Sequence, residues 1–327
     1  MAIIDRAYNR YALLGRIEAA YGTPETLFDT YDGLLCVDVP QISMESDNVA
    51  RNLALPWMGN SEEIPGTRRA RIKAKTEMVG SGTAGTVPAW GKWLRACGFS
   101  ETIVSTGLYM CTTYKPKSDT FEGMTVRFNR SGVRYIMTGA RGGAKFNLDA
   151  FSIPTIDLEY LGFDVAPIAE SIPALDLSKF LTPQMVNTEN SGSLIIGGFL
   201  ANGTAVSGGT VLPCKGIMWD MQTKLVHRKL IDGEHIAITD HPVTGKVTIN
   251  LSTADEVQWW SDVRNIKVAS LGFVHGTVAG KRMTVWAPRV QFSNPQQVDD
   301  DGSLLISYDL RALPGLTGAP ELQVIAW

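Results

Sequence analysis

Gly80, Gly82 and Gly85 spell GxGxxG between a predicted strand and a predicted helix. In that setting glycines let backbone N–H groups approach a dinucleotide pyrophosphate. The preceding segment opposes this chemistry. It places Arg69, Arg71, Lys73 and Lys75 on one face, whereas a parallel strand buried on both faces reads as a continuous apolar run. Glu101 precedes Thr102-Ile103-Val104 instead of ending a second buried strand, and no alternating α and β units follow. A flexible glycine-rich connection is the expectation. The histidines are His227, His235, His241 and His275. His235 and His241 would need a third ligand such as Asp240 or Glu234 to hold a metal, and surface positions in a loop are expected. Asp299-Asp300-Asp301-Gly302 resembles a calcium-binding fragment but lacks the later Glu of an EF-hand. Between two strands it reads as a turn.

Cys36, Cys97, Cys111 and Cys214 form no CxxC pair, so reduced and mostly buried thiols are expected. The chain has no HExxH, P-loop or nucleophile elbow. No acid–base constellation is visible, so the expectation is no enzyme, no cofactor and no metal. Over 327 residues the net charge is −3, which disfavours tight binding to nucleic acid. The basic face at residues 69–75 lacks interleaved aromatics and recurs nowhere else, so it reads as a solvated or subunit-contacting face. Asp5, Arg6 and Arg10 interrupt the apolar run that a signal peptide would need. No stretch approaches ~18 uninterrupted apolar residues, so no membrane partner is expected. A hydrophobic fraction of 44% is enough for a real core.

The elements that position these residues recur. LCVDVPQISMESDNVARNL (35–53) and LPCKGIMWDMQTKLVHRKL (212–230) align at constant offset, bringing Val49 onto Val226 and Arg51 onto Arg228. Each is followed by a loop rich in Gly, Pro and acids, at 55–67 and 231–245, and then by an alternating strand, ARIKAKTEM or KVTINLS. Each copy next predicts a short helix. In the first, Thr86 is the expected N-cap, with Trp90, Trp93, Leu94 and Cys97 as the apolar stripe. In the second, Thr253 and Glu256 have capping-box spacing and Val257, Trp260 and Val263 form the stripe. Both copies close with alternating strands, IPTIDLEYLG and LLISYDLRAL. The expected fold is mostly β, with two tandem β-sandwich or half-barrel domains, each flanked by one short helix. The expected boundaries are an N-terminal arm at 1–29, a first domain at 30–165, a connector at 166–204 and a second domain at 205–327.

Several stretches stand in the order seen in one family. They are RIEAAYGTPET (16–26), GNSEEIPGT (59–67), GSGTAGTVPAWGKWLRACGF (80–99), residues 135–162 and residues 274–310. On these the chain resembles the tail tube, or major tail, proteins of long-tailed bacteriophages. The resemblance implies a structural subunit of the virion tail, made in the host bacterial cytoplasm, that stacks in rings around a channel for genome delivery. Its partners would be copies of itself, the tape measure, terminator and distal tail proteins, and DNA in transit without tight binding. A family ring presents six tube domains, so two per chain imply a trimer with pseudo-sixfold symmetry in preference to a hexamer.

Within that reading the two long loops carry the contacts between subunits. Arg51, Trp57, Met58, Arg228, Ile236 and Ile238 are the candidate contact residues, and Glu62, Glu63 and Asp240 the candidate lumen acids. Arg51 and Arg228 are expected to pair with carboxylates across domain interfaces. The alternatives are a capsid or decoration protein and a carbohydrate-binding tail adhesion module. The latter needs aromatics clustered on a sheet face, whereas Trp90, Trp93, Trp259 and Trp260 fall in helices.

Overall fold

The structure is a computed structural model and describes residues 6–316 and 318–327. It is mostly β, built on one large antiparallel sheet. The first part of the chain forms β1 (Tyr11–Ile17), β2 (Gln41–Ser46), β3 (Val49–Ala50), β4 (Glu63–Ile64), β5 (Arg68–Glu77), α1 (Gly91–Ala96), β6 (Phe99–Val104), β7 (Cys111–Pro116), β8 (Met124–Arg130), β9 (Val133–Asp149) and β10 (Thr155–Ala169). The second forms β11 (Ser191–Ile196), β12 (Phe199–Ala201), β13 (Ala205–Ser207), β14 (Thr210–Leu212), β15 (Cys214–Asp220), β16 (Lys224–Leu230), β17 (Gly233–Asp240), β18 (Thr244–Ile249), α2 (Thr253–Arg264), β19 (Val268–His275), β20 (Met283–Asp300), β21 (Ser303–Ala312) and β22 (Gln323–Ala326).

The two parts share one strand order. The first runs β2-β5-β10-β9-β8-β1 and the second β15-β18-β21-β20-β19-β11. Register makes the equivalence residue-specific. Ile42 faces Ile72 as Ile217 faces Val247, and Met44 faces Ala70 as Trp219 faces Gly245. The constant offset read from the sequence would have set Trp219 against Ile42, so the repeat is displaced within this strand. Continuing across the sheet, Ile72 faces Tyr160 and Val247 faces Tyr308. Each tyrosine carries a helix tryptophan, Trp93 at 5.7 Å and Trp259 at 5.6 Å between ring centroids.

Alternation builds both sheets. Ala70, Ile72, Ala74 and Thr76 point into the core from β5 while Arg69, Arg71, Lys73 and Lys75 point away. The expected alternating residues Ile156, Leu158 and Tyr160, and Ile306, Tyr308 and Leu310, are all buried. Trp90, Trp93, Leu94 and Cys97 are buried too, but Thr86 does not cap α1. Its hydroxyl binds the Thr83 carbonyl at 2.6 Å, and Trp90 holds the N-cap position without a side-chain bond. The cap of α2 is Ser252, whose oxygen accepts from Asp255 N, so the expected frame is one residue late. Its stripe shifts accordingly. Val257 is 69% exposed, and Trp259 and Val263 are the residues packed on the core.

The expected boundaries move. Residues 11–17, expected in an arm, form β1, with Leu13 and Leu14 buried. The connector shortens, because β10 runs to Ala169 and β11 starts at Ser191. The loop at 231–245 is mostly strand. β16 and β17 form a tight hairpin turning at Leu230 and Gly233. The loop at 55–67 is the tip of a hairpin closed by Val49 facing Ile64.

The two units are joined twice. The end of β9 pairs with β15, placing Phe146 beside Trp219 and Asn147 beside Met218. In addition β7 pairs with β22, which lies on the first half of β20. Ile156, Phe146, Trp219, Gly245 and Leu310 are successive cross-strand partners. Side chains directly opposite in an antiparallel sheet share a face, so both helices cover the same side of one continuous sheet.

Truncation of the two equivalent tryptophans should differ in cost. Trp93 is fully buried, and Trp93→Ala is expected to lower stability by about 3–5 kcal/mol, the usual range for a core aromatic. Trp259 is only partly buried, so Trp259→Ala is expected to cost clearly less. Urea unfolding of the dispersed chain measures both.

Candidate assembly surfaces

The GxGxxG glycines serve packing between the units. Gly82, at φ +88°, donates its N–H to the Gly280 carbonyl at 2.9 Å. A Cβ on Gly80 or on Gly280 would collide with the other turn's backbone. The connection is therefore a packed seam and not a flexible one, and its Gly82 N–H is taken up by the other turn. The histidines are likewise structural. The His275 ring accepts or donates at Ser191 Oγ (2.8 Å) and lies 3.1 Å from the Gln184 carbonyl, and burial pushes its pKa down. The His227 ring is buried against Phe163 and lies 3.1 Å from a Glu234 carboxylate oxygen. Of the two expected on a loop surface, His235 lies in strand β17 and His241 follows that strand with its side chain bound to Glu321. The Asp299–Gly302 segment is the tight turn between β20 and β21. Among the described residues no group of three or more His, Cys, Asp or Glu could hold a metal, the four cysteines are separate thiols, and no helix is long and apolar enough to cross a membrane.

The sheet side opposite the helices is polar, with charges of alternating sign. Lys75 faces Asp157, Asp157 faces Lys145, and Lys145 faces Asp220 across four adjacent strands. Lys73 faces Glu159, and in the second unit Lys246 faces Asp309. The basic face of β5 is compensated. Arg69 binds Glu45 at 2.8 Å and Asp47 at 2.6 Å, Arg71 binds Glu45 at 3.2 Å and also Glu159, and Lys73 lies 3.5 Å from Glu159. Hydrogen bonds from Arg69 and Arg71 hold the Glu45 carboxyl below its ordinary range. Cations of β5 already paired with carboxylates gain little from replacing them with phosphates.

The two hairpins are equivalent in position and opposite in environment. The β16–β17 hairpin lies on the first unit. Ile236 and Ile238 are 0% and 8% exposed. The Ile236 N–H donates to Tyr21 Oη at 2.7 Å, while Arg141 donates to the Ile236 carbonyl at 2.7 Å and stacks on Tyr21. Both isoleucines are thus packed within their own chain and are not loop-tip contacts. At the turn, Leu230 and Ile231 are exposed. Arg228 is exposed in β16 across from His235, and Asp240 pairs with Lys224 at 2.8 Å.

The β3–β4 hairpin has no such bed. Val49, Leu53, Leu55, Trp57, Met58 and Ile64 are all exposed, Trp57 at 68% and Met58 fully. Arg51 pairs with Glu62 inside this hairpin, and Glu63 accepts from Asn48 at 3.1 Å. The pairing expected of Arg51 across an interface is met locally in this chain. Glu62, Glu63 and Asp240 sit on hairpins and are not part of the charged cross-strand row. That row was missed, although the alternation of KAK in β5 and DLE in β10 carried its signal.

No protein-family model matches the chain, and no curated protein matches it.

One contact within the second unit joins the residue after β17 to the segment that leads into β22. Glu321 accepts from His241 Nδ1 at 2.8 Å and, against a smaller opposing effect of burial, raises its pKa. A raised folded-state pKa contributes stability that is fully present below the unfolded value, about 6.5, and is lost as pH rises through the folded value. The stability difference between the native chain and His241→Asn is therefore expected to shrink as pH rises from about 6 into the alkaline range. Denaturant unfolding at several pH values measures it, and an unchanged difference would contradict the pairing.

Proposed function

We propose that this chain is the structural subunit of a phage tail tube, which assembles with copies of itself into stacked rings around a channel for DNA. The observation that carries this reading is the doubled unit. Two copies of the same six-strand arrangement lie side by side in one continuous sheet, with both helices on one side and a charge-compensated polar face on the other. Repeating that step around an axis gives a ring whose outer side carries the helices and whose inner side is polar. A heterologous contact whose rotation closes makes a ring, and stacking extends it. A lumen whose cations alternate with carboxylates across the strands would let a polyanion slide without holding it.

The exposed apolar β3–β4 hairpin supports the same reading. Burying a large side chain contributes roughly 1.5–3 kcal/mol, so a hairpin with Trp57, Met58 and their neighbours exposed has much to gain from a partner. A carbohydrate-binding module is less well supported, because Trp57 stands alone among non-aromatic neighbours and Trp90, Trp93 and Trp219 are in the core.

Negative-stain electron microscopy of the concentrated chain is expected to show hollow rings or tubes of one diameter. Closed shells or a discrete dimer would contradict the proposal. The double substitution Trp57→Ser with Met58→Ser is expected to abolish tubes while leaving the urea midpoint of the dispersed chain unchanged. Tubes of native length in that variant would remove the hairpin from the assembly.

A further inference from the structure

The chain contains one unit-to-unit junction and the two halves of another. In the intact junction, the Lys145–Asp149 end of β9 pairs antiparallel with β15, and the β16–β17 hairpin that follows β15 lies over the first unit. The equivalents of these parts are all present with an unpaired backbone edge, although the Asp300 side chain at the β20 end binds Lys215 of its own chain. The equivalent of β15 is β2, which pairs only with β5 and leaves its other edge free among the described residues. The equivalent of the β9 end is the end of β20. There β21 occupies one edge, and β19 stops pairing at Gln291 on the other. The equivalent of the β16–β17 hairpin is the unsupported β3–β4 hairpin.

Burial reports the same vacancy. Trp219 and Ile217 on β15 are 0% exposed, whereas Met44, the register equivalent of Trp219, is 44% exposed. One part of the bed, the turn that ends the helix, has a counterpart in the second unit. In the first unit, Ile238 approaches the Gly98 turn that ends α1. In the second unit, the turn that ends α2 carries Ile266 at 67% exposed, followed by exposed Val268 and preceded by Trp260 at 37%. Ile266, at φ +53°, and Gly98, at φ +84°, both take the left-handed conformation just past their helices.

We propose that β2 of one copy adds antiparallel to the Val298–Asp300 end of β20 in a second copy, while its β3–β4 hairpin lies over the exposed end of α2 in that copy, repeating the intrachain junction between chains. This deepens the tube reading and rests on it for the closure of the ring. Three copies then alternate first and second units around a pseudo-sixfold axis. The intrachain register carries over through aligned pairs. Trp219 faces Phe146 and Met218 faces Asn147. Leu304 faces Asp299 and Ser303 faces Asp300 as Ile156 faces Phe146 and Thr155 faces Asn147. Met44 is therefore set opposite Asp299 of the neighbour, and Ser43 opposite Asp300. The Asp299 carboxylate turns back to accept from Gly302 N at 2.9 Å, which keeps it off the apolar Met44.

Adjacent cross-strand pairs alternate between wider and closer spacing, and the closer spacing suits a disulfide. The test therefore uses two variants, Ser43→Cys with Asp300→Cys and Met44→Cys with Asp299→Cys. Each is oxidised in assembled material and compared with its single-cysteine controls to exclude the native thiols. The expected result is a covalent ladder ending at three chains in at least one double variant, and none in the controls. Rings without cross-links in either variant would overturn the pairing while leaving the tube reading intact. Cross-linked closed pairs with no rings would keep the pairing and overturn the tube reading. Absence of both rings and cross-links would overturn both, and a ladder ending at six chains would overturn the trimer.

Discussion

A β-sheet ends in unpaired N–H and C=O groups, and an edge strand left open is a template for another chain. In this protein one edge of each unit is satisfied inside the chain and the matching edge is left free. The β9–β15 junction absorbs the hydrogen bonds of one unit boundary and buries Phe146 against Trp219. In the proposed ring, free β2 and the open end of β20 are the two halves of the junction that a neighbouring copy would complete. Most other features follow from keeping that boundary rigid. The glycine seam at Gly80 and Gly280 packs the two units against each other, and β7 and β22 bridge them a second time. A rigid intrachain boundary fixes the angle between units, and that angle decides whether repetition closes.

The polar face depends on the same continuity. Lys75, Asp157, Lys145 and Asp220 alternate in sign only because β15 of the second unit continues the sheet of the first. The two units therefore complete each other's electrostatics as well as each other's edges. Charge compensation on this surface costs little, since the pairs are partly solvated and each contributes on the order of 1 kcal/mol or less. Its consequence is a surface with little net pull on a polyanion.

Much of the fold was legible in the sequence, and what was hidden has physical reasons. Period-2 alternation marked β5, β10 and β21, because each has one face in the core and one in water. The helical stripe of α1 was readable since Trp90, Trp93 and Leu94 are fully buried. The stripe of α2 was not, because no residue of that helix is buried and its exposed Val257 and Trp260 mimic a core face. The β16–β17 hairpin passed for a loop through its charged, glycine-containing turn. Asp232-Gly233 and the alternation of Ile236 and Ile238 were nonetheless a hairpin signal. The residues proposed for assembly were half visible. Trp57 and Met58 stood out as apolar groups in a polar loop, whereas Ile236 and Ile238 looked the same in sequence and differ only because the preceding unit lies beneath them. The polar row across β5, β10, β9 and β15 joins residues far apart in the chain, and only strand order reveals it.

The most direct measurement of edge completion is amide hydrogen exchange along Gln41–Ser46, compared between dispersed and assembled chain. Closure of the free edge by a neighbouring copy requires that the outward-facing amides of this strand exchange quickly when dispersed and become strongly protected on assembly, to the level of Cys214–Asp220, whose edge is already covered by β9. Equally fast exchange at β2 in both states would contradict it, because the edge would then remain open in the assembled particle.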